Sequence, residues 1–167
     1  KKAVIIGGGN IGFSLAQLIE NSDIYIKTEL IENNKERAEY LASNLENITV
    51  THGDGLDNQI LEEVNIAEAG YCIAVTEDDE VNILSALLAK RTGAKHAVAL
   101  VNIPSFIPLV GTLGVDAVIN PSQITVSSIL EHVRRGRIRD VHPIVEDLGE
   151  VLEAEARHQQ RDARARH

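Results

Sequence analysis

The chain has 167 residues, 44% of them hydrophobic and 25% charged, which is the balance of a folded globular domain and excludes a disordered, collagen-like or bare coiled-coil chain. Twenty-five acidic against sixteen basic residues leave a formal net charge of −9. That excess argues against nucleic acid as a partner, because affinity for a polyanion rests on basic groups that release counterions.

Residues 3–6 read as a strand that runs directly into the glycine turn Gly7-Gly8-Gly9-Asn10-Ile11-Gly12. A helix follows, with Ile11, Leu15, Leu18 and Ile19 at helical spacing and Asn21 and Ser22 at its end. A second strand is expected over residues 24–31, then a helix with Ala38, Leu41, Ala42 and Leu45 on one face, then a third strand over 48–51. A short helix near 56–64 leads to a strand over 71–75 and a helix marked by Leu84, Leu87 and Leu88 and closed by Gly93. A strand over 97–101, a short helix over 106–113 and a strand over 116–119 complete the series. The long uncharged stretch 97–115 contains Asn102, Pro104, Pro108, Gly111 and Gly114, so it reads as strand, turn and short helix and not as a membrane span. Six strands alternating with helices predict an α/β, Rossmann-like, doubly wound parallel sheet.

Ser122 is expected to cap a last helix whose stripe Val126, Ile129, Leu130 and Val133 requires a partner surface. The sequence thus divides into a dinucleotide-binding domain over 1–136 that includes this crossover helix, a linker with the start of a small α+β module over 137–156, and a flexible tail over 157–167. The chain has no methionine and enters its first apolar run at residue 3. A piece of a longer protein or a processed chain, without a signal peptide, is expected.

The chemistry concentrates in the first turn. In Gly7-x-Gly9-x-x-Gly12, the first glycine permits the tight turn, the second lets a pyrophosphate approach the backbone, and the third lets helix and strand pack closely. The helix N-terminus attracts the anion. Glu32, twenty residues after Gly12, stands where an acid accepts hydrogen bonds from an adenosine ribose. Only Asn33, Asn34 and Lys35 follow it, with no arginine among them, which favours NAD over NADP; a solvated turn acid is the structural alternative. Asp54, in Gly53-Asp54-Gly55, could meet the adenine edge or simply form an Asx turn. Thr76 ends the fourth strand, and Thr76-x-x-Asp79 fits a helix capping box. The cluster Glu77, Asp78, Asp79 and Glu80 opposes a naked triphosphate, or merely favours a helix start.

Cys72 lies in an apolar run, unlike an activated nucleophile, and as a single cysteine suits a reducing cytoplasm. The six histidines show no metal-ligand spacing, and no metal is assigned. No nucleophile elbow, Cys/His pair or Walker lysine is present, and little chain remains for a substrate domain. The chain therefore reads as a binder; the cofactor half of an NAD-dependent oxidoreductase is the alternative.

The segments AVIIGGGNIG, Glu32, Gly53-Asp54, AVTEDDEVN at 74–82 and DAVINPSQITVSSILEHVRRG at 116–136 resemble the RCK, or KTN, domains of Trk-type potassium-uptake regulators, in particular the second of two tandem halves. The resemblance implies a non-enzymatic, cytoplasmic subunit, peripheral on the inner face of the cell membrane. Such a subunit binds NAD(H), ADP or ATP and gates the membrane subunit of a Trk-type potassium transporter. It implies Gly7, Gly8, Gly9, Asn10 and Ile11 at the phosphates, Glu32 at the ribose, and Thr76 and Glu77 beside the nucleotide. It also implies a homo-oligomer or tandem pairing that would cover the Val126, Ile129, Leu130 and Val133 stripe. Asn10 stands where relatives favouring ATP carry arginine.

Overall fold

Strand β1 (Lys2–Ile6) is buried along its whole length. Ala3 and Ile5 enter one hydrophobic cluster, Val4 and Ile6 another. Such a strand must have helices on both sides, and a continuous apolar run is the signature of a covered parallel sheet. The computed structural model describes residues 1–120 together with residues 130, 131, 133 and 134.

The remaining strands are β2 (Lys27–Glu32), β3 (Ile48–His52), β4 (Tyr71–Ala74), β5 (His96–Leu100) and β6 (Ala117–Ile119). They form one sheet in the order β3-β2-β1-β4-β5-β6, every neighbouring pair parallel. This is the doubly wound order, and its direction reverses between β1 and β4. Helices α1 (Asn10–Glu20) and α2 (Lys35–Asn44) cover one face, where Leu15, Ile19, Leu41, Ile5, Leu30 and Ile73 share a cluster. Helices α3 (Asn58–Glu63), α4 (Asp79–Thr92) and α5 (Ile107–Leu113) cover the other. Short 3-10 turns at Ile66–Glu68 and Pro104–Phe106 complete the connections. The stretch 97–115 is strand, 3-10 turn and short helix, and no helix among the described residues is long and apolar enough to cross a membrane.

Of the leucines that mark α4, Leu87 and Leu88 pack half-buried against the core while Leu84 faces outward. Leu84 is 53% exposed, while Asn82, Ser85, Ala86 and Ala89 are buried. The strands beneath present Cys72, Ala74, Ala97 and Ala99, so small side chains on both surfaces bring helix and sheet close, and a leucine there would not fit. On α1 the buried residues are Gly12, Leu15, Ala16 and Ile19, with Leu18 at 36% exposure; on α2, Ala42 is exposed beside buried Ala38 and Leu41. Strand β2 begins at Lys27, later than expected, leaving Ile24 and Tyr25 exposed. Gly93 ends α4 at φ +118°, as the sequence indicates.

Leu130 and Val133 are helical and buried in the same cluster as Ile5 and Tyr71. These two positions of the expected stripe thus find a partner within the chain's own core. Ser122, Val126 and Ile129, and the divisions proposed after residue 136, lie outside the described residues. Cys72 is wholly buried, and burial pushes its thiol up to about 12, in keeping with an inert core cysteine.

Candidate functional site

A cavity of about 500 Å³ opens where the strand order reverses, lined by residues from the turns that follow β1, β2, β3 and β4. Open α/β sheets bind ligands at this position. Its floor is the glycine turn. Gly7 has φ +103°, a conformation that side chains rarely adopt. A Cβ on Gly12 would stand 1.8 Å from the Gly7 carbonyl oxygen, so that position admits only glycine. A Cβ on Gly9 would meet nothing within 4 Å; the space over this residue is open.

Helix α1 begins at Gly9 with no side-chain cap and no acid in its first turn. Its first backbone bond is from the Phe13 N–H to the Gly9 carbonyl at 2.9 Å. The N–H groups of Gly9, Asn10, Ile11 and Gly12 therefore have no partner among the described residues, and with the helix dipole they form an anion-receptive surface.

Glu32 ends β2 and is 8% exposed. Its Oε2 accepts from the Gly8 N–H at 2.7 Å and its Oε1 from the Asn34 N–H at 2.8 Å, which leaves each oxygen one lone-pair direction. Asp54 lines the cavity with an exposed carboxylate whose Oδ1 accepts from the Leu56 N–H at 2.9 Å, so the Asx turn is formed. Thr76 and Glu77 close the far side.

Of the expected site residues, the fold brings Gly7, Gly9, Asn10, Glu32, Asp54, Thr76 and Glu77 to this cavity. Gly8, Ile11 and Gly12 do not line it. The Gly8 N–H is committed to Glu32, the Ile11 side chain packs on the core, and Gly12 lies against the backbone of Gly7.

The capping box expected of Thr76 and Asp79 does not form. Asp78 caps α4, accepting from the Val81 N–H at 2.9 Å. Thr76 instead donates its hydroxyl to Asn82 Oδ1 at 2.7 Å, and its N–H donates to the same oxygen at 2.8 Å. Asp79 is buried and turned to the next strand connection, accepting from the Asn102 and Ile103 N–H groups and the Asn102 side-chain amide at 2.8–2.9 Å. Burial raises its carboxyl, but those donors outweigh it and hold the group below its ordinary value.

Arg37 is the residue the sequence reading missed. It is the one basic side chain among the described residues lining the cavity. Its Nε donates to the Gly8 carbonyl at 2.7 Å, and its guanidinium lies 5.4 Å from the Phe13 ring centroid and 5.0 Å from that of Tyr40. The available signal was helical phase: Asn34 caps α2 by accepting from the Arg37 N–H at 2.9 Å, which puts Arg37 in the first turn beside the cavity. Among the described residues no group of His, Cys, Asp and Glu is arranged to hold a metal ion.

Residues 3–121 match the TrkA-N domain family. The Trk system potassium uptake protein TrkA of Azorhizobium caulinodans is 48% identical over 156 residues, which are 93% of this chain and 34% of that protein. The chain spans about a third of the length of the curated relatives it matches. Among solved structures, the TrkA-N domain of the inner membrane protein ybaL from Escherichia coli superposes with a TM-score of 0.66 at 17% identity, covering 78% of this chain and 94% of that one. The GsuK channel bound to NAD gives 0.62 at 20% identity, over 79% of this chain and 22% of that one. At such identities the likeness is one of fold. The strand, glycine turn, helix and crevice described above all fall within the matched segment, and the chain belongs to the TrkA-N domain family.

Proposed function

We propose that this chain is the nucleotide-sensing domain of a Trk-type potassium uptake system. It takes NAD(H), or ADP or ATP through the same adenosine phosphate chemistry, and biases a membrane potassium transporter without transforming the ligand. The observation that carries the reading is the pairing in one cavity of an uncapped helix start, open above Gly9, with the Glu32 carboxylate. An anionic group suits the first and a sugar hydroxyl the second. The identity to a protein named for potassium uptake supplies the physiological setting.

In this reading the free N–H groups of Gly9 and Asn10, at the cavity, hold the diphosphate, with Gly7 and Gly8 shaping the turn and Ile11 extending the helix start, and the remaining lone pairs of Glu32 accept from the adenosine ribose. Asp54 faces the adenine edge, while Thr76 and Glu77 border the nucleotide. Asp54, Glu77 and Asp78 line the cavity, and this acidic set disfavours a triphosphate without a cation, which supports NAD(H) or ADP over ATP. No redox chemistry is asked of the protein: a ligand that prefers one of two domain arrangements shifts their balance, and a coupling of ~1–3 kcal/mol corresponds to about 5–150-fold in relative affinity. The partners are the membrane subunit of the transporter and a second such domain, in tandem or as another copy. The location is cytoplasmic, on the inner face of the membrane.

Calorimetric titration of the chain with NADH and ADP, with absorbance followed for turnover, tests the reading. Saturable binding with the ligand recovered unchanged is expected. Absence of binding by either nucleotide overturns it, and steady consumption of NADH would assign the chain to an oxidoreductase instead.

A further inference from the structure

We infer that Arg37 is a positioning residue that holds the glycine turn in its anion-receptive shape before any ligand arrives. The inference rests on the proposed reading for the identity of the ligand, though not for the clamp itself.

Three successive glycines are the most conformationally free tripeptide a turn can contain, and ordering them costs more backbone entropy than ordering any other residues. Something outside the turn must therefore hold it. The Gly7 N–H donates to the Ile31 carbonyl at 2.9 Å. Gly8 is held at both ends of its polar backbone by the next strand–helix unit: its N–H reaches Glu32 Oε2 at 2.7 Å, and its carbonyl accepts from Arg37 Nε at 2.7 Å. Because the peptide is planar and trans, fixing the Gly8 carbonyl toward Arg37 directs the Gly9 N–H the opposite way.

Arg37 is itself fixed from two sides. Phe13, in the first turn of α1, and Tyr40, one turn along α2, stand edge to face with ring centroids 5.9 Å apart, and the guanidinium lies against both. Turn, α1 and α2 are thereby joined through one side chain. Among the described residues Arg37 forms no ion pair, and its contact with the turn is made by the Nε–H. Lysine has no equivalent of that donor at that position.

The test uses the 167-residue chain and its Arg37→Ala and Arg37→Lys variants, titrated with ADP, NAD and adenosine. Losing a charge-assisted hydrogen bond that preorganises the turn lowers affinity for ADP and NAD by about tenfold in both variants, while affinity for adenosine, which has no phosphate, stays within about twofold. In the ligand-free proteins, amide hydrogen exchange at Gly8 accelerates in both variants relative to the parent chain. Recovery of ADP affinity by lysine would show that Arg37 acts through its charge on the phosphate, and an equal loss for adenosine would show direct contact with base or sugar; either overturns the inference. If the parent chain binds neither ADP nor NAD, the proposed ligand fails, and unchanged Gly8 exchange in the variants then separately overturns the clamp.

Discussion

Helices α1 and α4 both start at the rim of one cavity, on either side of the point where the sheet reverses direction, and their first turns are built in opposite ways. Helix α1 starts at a glycine with no cap and no acid, over open space. Helix α4 starts at Asp78, which takes up the Val81 N–H, and carries Asp79 and Glu80 in its first turn. The preceding Thr76 is tied to Asn82, whose amide also donates to the Leu100 carbonyl at 2.9 Å. Helices α2 and α3 are capped as well, by Asn34 and Asp57. A cap satisfies the helix start internally and adds negative charge; its omission leaves the same donors for an external anion. The difference teaches that the anion site is specified as much by the residues withheld from α1 as by those supplied.

The largest expected effect comes from making α1 resemble α4. Gly9→Asp adds a capping carboxylate into open space at an extended backbone position. Like charges about 4 Å apart near a protein surface repel by ~4 kcal/mol, so ADP affinity falls by at least about a hundredfold. The melting temperature holds or rises slightly, since aspartate exceeds glycine as a cap by a few tenths of a kcal/mol. Calorimetry and a thermal melt on the same sample check both; retained affinity would remove the α1 start from the site.

Next in size is Asp79→Asn, which leaves the cavity untouched. The substitution replaces one accepting oxygen with an NH2 that faces the N–H donors of Asn102 and Ile103, at a cost of roughly 2 kcal/mol in urea unfolding at neutral pH. The pH dependence has a definite sign. The folded-state carboxyl lies below its ordinary value, so its stabilisation is complete above the unfolded value of about 3.9 and is lost as pH falls through the folded one. The gap between parent and variant therefore closes below about pH 4. Nucleotide affinity at neutral pH is unchanged.

What the sequence revealed divides along similar lines. The glycine turn was legible because its requirements are local: a positive φ at Gly7 and a close approach at Gly12 demand glycine whatever the rest of the chain does. The succession of six strands and the doubly wound class followed from alternation of apolar runs and helices. Arg37 was hidden in the charged run Lys35-Glu36-Arg37, which reads as a solvated face until α2 is placed against the turn. Asp79 satisfied the spacing of a capping box with Thr76, but its actual partners, Asn102 and Ile103, lie more than twenty residues away. On α4 the leucines marked the helix, and Leu87 and Leu88 do reach the core, but close packing on an alanine-rich stretch of sheet buries Asn82, Ser85, Ala86 and Ala89 fully, which hydrophobicity alone does not single out. In each case the missing information was a tertiary partner.

The smallest effect comes from the reverse substitution, Asp78→Ala, which makes α4 resemble α1. Losing the cap costs about 1 kcal/mol, a fall of roughly 2–4 °C in melting temperature for a chain of this size. Removing an exposed negative charge from the cavity rim relieves repulsion worth ~0.2–1 kcal/mol, so ADP affinity rises by up to about fivefold at low salt, and the gain fades as ionic strength shortens the Debye length. Stability and affinity thus move in opposite directions, and each moves opposite to its change in Gly9→Asp. A fall in ADP affinity in Asp78→Ala would mean that the α4 start contacts the nucleotide directly, and the division between an open and a closed helix start at this cavity would no longer hold.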